Sequence, residues 1–404
     1  MKAVGLIVEY NPFHNGHAFH LQAAQEAAEA DVVIAVMSGD FLQRGEPALV
    51  SKWHRARMAL LNGVDLVFEL PYRFAVQKAE TFANGAVSIL DAAGCESLCF
   101  GSESGDIFLF HQTVDFLEEN QKIFDENIKR FINTGVSYPK AIAMAFGHLS
   151  DSGRYLDLAK PNNILGFQYI KAIHKQKSSI KPLTVARKNA DYHDEHFASE
   201  TIASATSIRK AIFSEDDHKA DISQYVPLPT KQLLIDYFQK YHMFHQWENY
   251  WSYLQFQLIQ VTPEQLKEIY EVEEGLENRL ISAAIESNSF HEFMQKIKTK
   301  RYTWTRLQRL CVHILTNTKK TDIAGLTDKA QYLRLLGMTE KGKEYLNKMK
   351  KQFSLPVVSK LSSHKDKNII HDIKAARIYS MVIPNFSKSE LFHEEFKKPP
   401  IYIK

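Results

Sequence analysis

The run Val8-Glu9-Tyr10-Asn11-Pro12-Phe13-His14-Asn15-Gly16-His17 constrains this chain more than any other stretch. An apolar segment, Ala3 to Val8, leads into it and reads as a buried strand. Ala18 to Ala24 follows and reads as helix, so the strand ends, the chain turns at Asn11-Pro12, and a helix begins at or near His14. Two histidines three apart on that helix point the same way. Gly16, directly before the second, lets a ligand approach the backbone closely. The helix N-terminus adds unpaired N–H groups and a partial positive charge. Strand, turn, His-x-Gly-His and helix together form a site for phosphate. A lone histidine near a helix start is ordinarily structural. The pair in this spacing, directly after the first strand, carries the functional reading.

Beyond that helix, which runs to about Ala30, Asp31 to Met37 is continuously apolar, as in a parallel strand covered on both faces. It ends in the polar loop Ser38-Gly39-Asp40-Phe41-Leu42-Gln43-Arg44-Gly45, in which no role is assigned to Asp40. Ser51 is placed to cap a helix reaching about Asn62. Val64 to Leu70 is a third strand, Val76 to Ala93 a helix, and Ser97 to Phe100 a fourth strand leading into Gly101 to Gly105. Residues 107–149 read as helices broken at Gly135, and Pro161 opens another. Pro182 to Ala186 is a fifth strand, ending at Arg187-Lys188. Alternating strands and helices with short loops predict a Rossmann-like, doubly wound parallel sheet, with ligands beyond the carboxyl ends of its strands. The loop Asp191-Tyr-His-Asp-Glu-His matches no standard zinc spacing and is read as solvated. Thr206 or Ser207 is predicted to cap a helix with Arg209 and Lys210 in its first turn. Basic residues there oppose the helix dipole, which makes sense if an anion lies between them.

Charge divides the chain unevenly. Residues 1–294 carry 26 Lys and Arg against 38 Asp and Glu, whereas 295–404 carry 24 against 9. That asymmetry suggests a catalytic body with a polyanion-binding end. Val226-Pro227-Leu228-Pro229 reads as a linker, giving a nucleotide-binding domain over 1–228 and a mostly helical basic domain over 229–404. Between Gln295 and Lys320 there are eight Lys and Arg and no acid. Lys296, Lys298, Lys300, Arg301, Arg306 and Arg309, interleaved with Tyr302 and Trp304, fit phosphate contacts and stacking on unpaired bases, so RNA rather than duplex DNA. A merely basic surface is the bland alternative. No apolar run is long enough to span a bilayer, the N-terminus lacks a basic-then-apolar signal pattern, and Cys95, Cys99 and Cys311 form no disulfide framework. A cytoplasmic protein without a membrane partner is expected.

Phosphate-binding histidines, the Thr206-Ser207-Ile208-Arg209 helix start and the glycine-bearing fourth loop imply attack on the α-phosphorus of ATP, with pyrophosphate leaving. His14 and His17 would stabilise the developing phosphate charge, and Arg209 would hold the β- and γ-phosphates. Mg²⁺ is expected to arrive with the nucleotide, and no protein ligands are assigned to it. These motifs resemble the nucleotidyltransferase superfamily. Together with Met37 to Pro47, Lys160 to Gly166, Ala203 to Lys210 and Lys300 to Arg309, the chain resembles the bacterial tRNA(Met) cytidine acetate ligase family over essentially its whole length. The resemblance implies acetyl-adenylate formation from ATP and acetate, then acetylation of N4 of the wobble cytidine in elongator methionine tRNA. It implies ATP contacts at Ile7, Val8, Glu9, Tyr10, Asn11, Pro12, Phe13, His14, Asn15, Gly16, His17 and His20, and at Gly101, Asn162 and Arg187. Thr206, Ser207 and Arg209 of the second motif join them. Two alternatives stay open from the residues alone: a small-molecule adenylyltransferase, and a non-catalytic RNA-binding protein with a regulatory nucleotide site.

Overall fold

The computed structural model describes residues 1–149, 154–187, 201–214, 221–273, 275–324, 327–361, 364, 369–385 and 389–404. Lys188 and the acidic, histidine-rich loop at 191–196 lie outside the described residues. Five parallel strands come first: β1 (Ala3–Val8), β2 (Val32–Ser38), β3 (Leu66–Leu70), β4 (Ser97–Ser102) and β5 (Lys181–Ala186). Three more follow late in the chain: β6 (Leu333–Thr339), β7 (Val357–Val358) and β8 (Ile401–Ile403). The sheet order is β5-β4-β1-β2-β3-β6-β7, with β8 also paired to β6. β6 runs antiparallel to β3, and β7 and β8 run parallel to β6. The strand order reverses at β1, where β2 lies on one side and β4 on the other. That switch point opens the ligand crevice at the carboxyl end of β1.

Alternation along the buried strands explains why both faces are covered. Val33, Ala35 and Met37 of β2 join one apolar cluster, while Val32, Ile34 and Val36 join the other. Every residue of β2 is buried. The doubly wound α/β class is therefore the observed one, extended by an antiparallel edge.

The expected boundary near 228 does not divide the core. Tyr237, Trp251, Leu254, Phe293 and Leu310 belong to the same apolar cluster as Val4, Leu6 and Val8. The sheet crosses the boundary too, because β6 returns to β3. Asp65 anchors that return: its carboxylate accepts the Val33 N–H at 3.0 Å and the Thr339 hydroxyl at 2.9 Å. The basic end is thus helical but supplies strands as well. The linker motif actually opens a helix, Leu228–Tyr241.

The loop after β2 is the joint between these parts. Asp40 Oδ1 accepts the Lys52 N–H at 2.9 Å and so caps the helix Lys52–Leu61. Ser51, predicted for that task, makes no capping bond and instead pairs its hydroxyl with His54 Nδ1 at 2.9 Å. Lys52 Nζ lies buried between Glu69 at 2.7 Å and Glu395 at 2.9 Å, joining the sheet to the helix Glu390–Lys397. Burial of the lysine is tolerated because two carboxylates enclose it, while burial and the nearby Glu395 raise the Glu69 carboxyl well above its ordinary value.

Gly45 has φ +76, and a Cβ there would lie 2.2 Å from the backbone nitrogen of Arg309. Gly135 has φ +85 with open space around it. Gly135→Ala should therefore cost about 1 kcal/mol for the left-handed backbone alone. Gly45→Ala should cost about 2–4 kcal/mol, because overpacking adds to the backbone term. Urea denaturation of the two variants checks the ordering; equal losses would show that the loop does not seat tightly on the helix Trp304–Leu315.

Candidate active site

A cavity of about 280 Å³ opens beyond the carboxyl ends of β1, β4 and β5. His14, Gly16, His17 and His20 line it, with Gly101 from β4, Asn162 from the helix Pro161–Gln176, and Arg187 just past β5. Thr206 and Arg209 of the helix Ala205–Phe213 complete the wall.

His14 is the N-cap of the helix Asn15–Ala28. Its Nδ1 accepts the Gly16 N–H at 3.0 Å, while His17 Nδ1 accepts the His14 N–H at 3.2 Å. This is a reciprocal capping box built from two imidazoles. Each Nδ1 holds a lone pair, so the proton of the neutral ring is on Nε2. The rings stack with centroids 3.7 Å apart, held from behind by Tyr10 at 5.0 Å and Phe13 at 5.6 Å from the His17 ring. Gly16 has a further reason to be glycine: a Cβ would lie 2.9 Å from His14 Cε1 and displace the capping ring.

Burial first, then the Arg187 and Arg209 guanidinium groups, push the His14 imidazole down to about 3. His17 is lowered by burial and by neighbouring His14, Arg187 and His20. Burial and Arg187 bring His20 down to about 4. All three are neutral before ligand arrives, in a cavity also lined by Arg44, Arg187 and Arg209.

The arginines are preset. Arg209 Nη1 donates to the Asn11 carbonyl at 3.0 Å, and Nη2 pairs with Glu46 at 2.8 Å. Arg187 Nη1 donates to Asn162 Oδ1 at 3.0 Å, and Asn162 Nδ2 donates to Glu103 Oε1 at 2.7 Å. Glu103 also accepts the N–H groups of Asn162 and Asn163, tying the head of that helix to the end of β4. The second motif is seated differently from its prediction. Ser204 is the N-cap and accepts the Ser207 N–H at 3.0 Å, which moves Arg209 out of the first turn. The missed signal was a serine three residues before another serine. Arg209 reaches the anion site through its length, from the second turn.

The predicted nucleotide contacts separate into wall and support. Ile7, Val8 and Glu9 line the cavity with the residues above. Tyr10, Asn11, Pro12, Phe13, Asn15 and Ser207 do not line it. Asn11 accepts the Leu49 N–H at 2.7 Å, and Asn15 Nδ2 donates to the carbonyls of Thr201 and Gln224 at 2.9 Å, clasping the chain that carries Arg209. Gln43, Arg44, Glu46, Leu165 and Ser204 also line it, from stretches that carry the family resemblance but in which no role was assigned to them, and Tyr169 lines it from outside those stretches. Their place follows from tertiary packing of the second loop and of the 161–176 helix.

The basic segment does not line the cavity; at Gln308 and Arg309 it packs on the loop that does, and its eight charges are not eight free contacts. Tyr302 is 5% exposed and its hydroxyl donates to Glu273 at 3.3 Å. Arg306 lies 4.7 Å over the Tyr302 ring and pairs with Glu273. Arg309 is buried near Glu271 at 3.6 Å, and Lys296 pairs with Glu292 at 3.2 Å. A free stacking face on Tyr302 and a free charge on Arg309 are therefore corrected: amphipathic packing turns them toward the core. Trp304 is half-buried, while Lys298, Lys300 and Arg301 are exposed.

The orphaned His20 Nε2 gives a test of the site's electrostatics, since it is buried without a partner among the described residues. Between pH about 4 and 6.5 the unfolded chain protonates His20 while the folded chain does not, so the stability this histidine contributes is lost on acidification. His20→Gln should reduce the slope of stability against pH in that window by up to about 1.4 kcal/mol per pH unit. Denaturation midpoints of variant and parent from pH 4.5 to 7 measure it, and parallel curves would contradict the burial.

A family model described as HIGH Nucleotidyl Transferase matches residues 1–394. A Bacillus subtilis protein named tRNA(Met) cytidine acetate ligase is 50% identical over 405 residues, covering 99% of this chain and 97% of that protein. An Anoxybacillus flavithermus protein of the same name is 49% identical over 407 residues, covering 99% of this chain and all of the other. The crystal structure of apo Thermotoga maritima TmcAL superposes with a TM-score of 0.90 at 34% identity, covering 100% of both chains. TmcAL bound with alpha-thio ATP gives 0.88 at 33% identity, again over the whole of both. A strand-switch crevice closed by His14, His17 and Arg209, in a chain alike from end to end, leads to one conclusion: this protein belongs to the HIGH nucleotidyltransferase family and, within it, to the tRNA(Met) cytidine acetate ligases.

Proposed function

We propose that this chain activates acetate with ATP, releasing pyrophosphate, and transfers the acetyl group to N4 of the wobble cytidine of elongator tRNA(Met). The observation that carries the reading is the pair of Nε2–H donors that the His14/His17 capping box aims into a cavity walled by preset arginines. Full-length likeness to ligases of that name, and to a relative holding an ATP analogue, supports this choice of substrates.

In the first step the acetate carboxylate attacks the α-phosphorus and pyrophosphate departs. His14 and His17 donate to phosphate oxygens as charge shifts onto them, and Arg209 holds the leaving group. The groups are positioned before reaction, so little reorganisation is needed as charge develops. Gly101, Leu165 and Val185, at the β4–β5 end of the cavity, offer a surface for the adenine ring. Mg²⁺ would come with the nucleotide's phosphates. The cavity carboxylates fit a protein-held ion poorly: Glu46 is taken by Arg209, and one oxygen of Glu9 by the Gln43 N–H at 2.9 Å. No step is assigned to the ion.

In the second step the cytidine amine, a weak nucleophile, meets an acyl donor already activated and held beside it. Unstacking the base is easiest in an anticodon loop. The tRNA contacts centre on the exposed Lys298, Lys300 and Arg301, next to a helix that abuts the cavity loop at Gly45. Catalytic and RNA-binding functions thus divide by surface, not by separately cored domains at residue 228. A cytoplasmic location follows from a tRNA substrate; among the described residues, no helix is long and apolar enough to cross a membrane.

Incubation with labelled acetate, ATP and bulk tRNA, followed by digestion to nucleosides, tests substrate and target base together. Label in acetylcytidine is expected; a stable dinucleotide and unlabelled RNA would favour a small-molecule adenylyltransferase. His17→Ala should lower acetate-dependent pyrophosphate release on the order of 10²–10³-fold while tRNA affinity stays within about threefold, because one donor to developing charge is removed. Equal loss of both would sink the separation of surfaces. Changing Lys298, Lys300 and Arg301 together to Glu should leave acetate-dependent pyrophosphate release intact, abolish acetyl transfer, and flatten the salt dependence of tRNA binding by about two to three charges. Normal transfer at physiological salt would place the RNA elsewhere.

A further inference from the structure

The two half-reactions differ in their proton balance. Carboxylate attack on phosphorus releases pyrophosphate and needs no proton transfer. Acylation of an exocyclic amine forms an N–C bond, breaks the C–O bond of the mixed anhydride, and expels AMP with that electron pair on its phosphate oxygen. The amine nitrogen must also lose a proton, and the residues assigned so far give it nowhere to go. His14 and His17 already carry their neutral-state proton on Nε2, and protonating Nδ1 would break the capping box. His20 lies toward Gly101 and Arg187, on the β4–β5 side.

Two described carboxylates line the cavity, Glu9 and Glu46. Glu46 is committed to Arg209 at 2.8 Å. Glu9 stands at the carboxyl end of β1, directly after Val8. Its Oε1 accepts the Gln43 N–H at 2.9 Å, and its backbone carbonyl accepts Arg55 Nη1 at 2.7 Å, so the residue is held at both ends. Its Oε2 makes no hydrogen bond among the described residues, and Glu9 lines the cavity. Gln43 belongs to the loop on whose other side Gly45 meets the helix Trp304–Leu315. Glu9 is thus held by the same loop that seats on the C-terminal part of the basic segment at Arg309. Asp40, in the same loop, is spent on the Lys52 N–H and does not line the cavity.

We infer that Glu9 is the general base of acetyl transfer, taking the N4 proton of cytidine on Oε2 as the N–C bond forms. This rests on the acetyl-transfer reading above. Burial raises the Glu9 carboxyl above its ordinary value, against the lowering influence of the Gln43 N–H, Arg44 and Arg209 and with the help of Glu46. A stronger base near neutral pH is the consequence. The charged and titratable groups facing it are Arg44 and Glu46 from the loop, Arg209 from the helix Ala205–Phe213 and Tyr169 from the helix Pro161–Gln176.

The test compares Glu9→Gln, Glu9→Asp and the parent enzyme, each assayed for acetate-dependent pyrophosphate release without RNA and for single-turnover transfer from labelled acetate to bulk tRNA. For Glu9→Gln the ratio of transfer to pyrophosphate release should fall on the order of 10²–10⁴-fold. Its residual transfer should lose the fall at low pH that the parent displays. Glu9→Asp, which keeps a carboxylate set back by one methylene, should recover part of the ratio. An unchanged ratio in Glu9→Gln overturns the assignment, whether both rates fall together or neither does. So does a ratio for Glu9→Asp no better than that for Glu9→Gln. If the parent itself releases no acetate-dependent pyrophosphate or labels no RNA, the acetyl-transfer reading has failed, and that result is distinct from any behaviour of the variants.

Discussion

Much of the site depends on two imidazoles satisfying two backbone N–H groups. A helix start must place its first N–H groups somewhere, and serine or aspartate is the usual solution. Here His14 and His17 take the task with their Nδ1 atoms, and one bond each sets three properties at once. The rings are fixed in orientation, the proton is forced to Nε2, and the helix is capped without placing a negative charge where phosphate must sit. A carboxylate cap would stabilise the helix equally well and repel the ligand. The low proton affinity of these rings belongs to the same arrangement, since burial and neighbouring arginines keep them uncharged until an anion is present.

The second dependence is on the loop after β2. One short stretch is shared by four sets of contacts. Asp40 caps the helix Lys52–Leu61, Gln43 restrains Glu9, Glu46 restrains Arg209, and the Gly45 carbonyl accepts the Trp247 indole N–H at 2.8 Å. Arg55 donates to the carbonyls of Glu9 and Ser38 and to that of Gly39, pinning the loop to the strand ends from beneath. Chain segments far apart in sequence therefore meet at the cavity through a loop that is neither helix nor strand. Breaking any of these contacts leaves an unpaired polar group beneath the site.

The βα alternation was readable because parallel strands covered on both faces must be continuously apolar. Ala3–Val8 and residues 32–37 meet that demand residue by residue. His-x-Gly-His was readable because spacing on a helix is local. Capping partners were less legible: Ser51 and Thr206 or Ser207 had suitable side chains, but Asp40 and Ser204 took the bonds. A cap is decided by which acceptor geometry brings within 3 Å, and an acceptor twelve residues away competes on equal terms once the loop folds. The basic segment illustrates the converse error. Its charge pattern was correct as a count, yet amphipathic packing gave Tyr302, Arg306 and Arg309 acidic or apolar neighbours from distant elements.

What the sequence determined by itself was the period-dependent part: a parallel α/β sheet, a histidine-bearing helix start after its first strand, and a basic end. Those follow from side-chain spacing and charge, which every segment carries locally. The tertiary structure alone decided that residues beyond 229 would share the sheet and its core, through β6 pairing with β3 and through Tyr237, Trp251 and Leu310 in one cluster with Leu6. It alone decided which of the cavity's charges are committed. Glu46 faces Arg209 across 163 residues of chain, while Glu9 is held through one oxygen by Gln43, 34 residues on, a difference set by where these segments meet. Pairing of that kind depends on where chains meet in space, and no local pattern in the sequence encodes it.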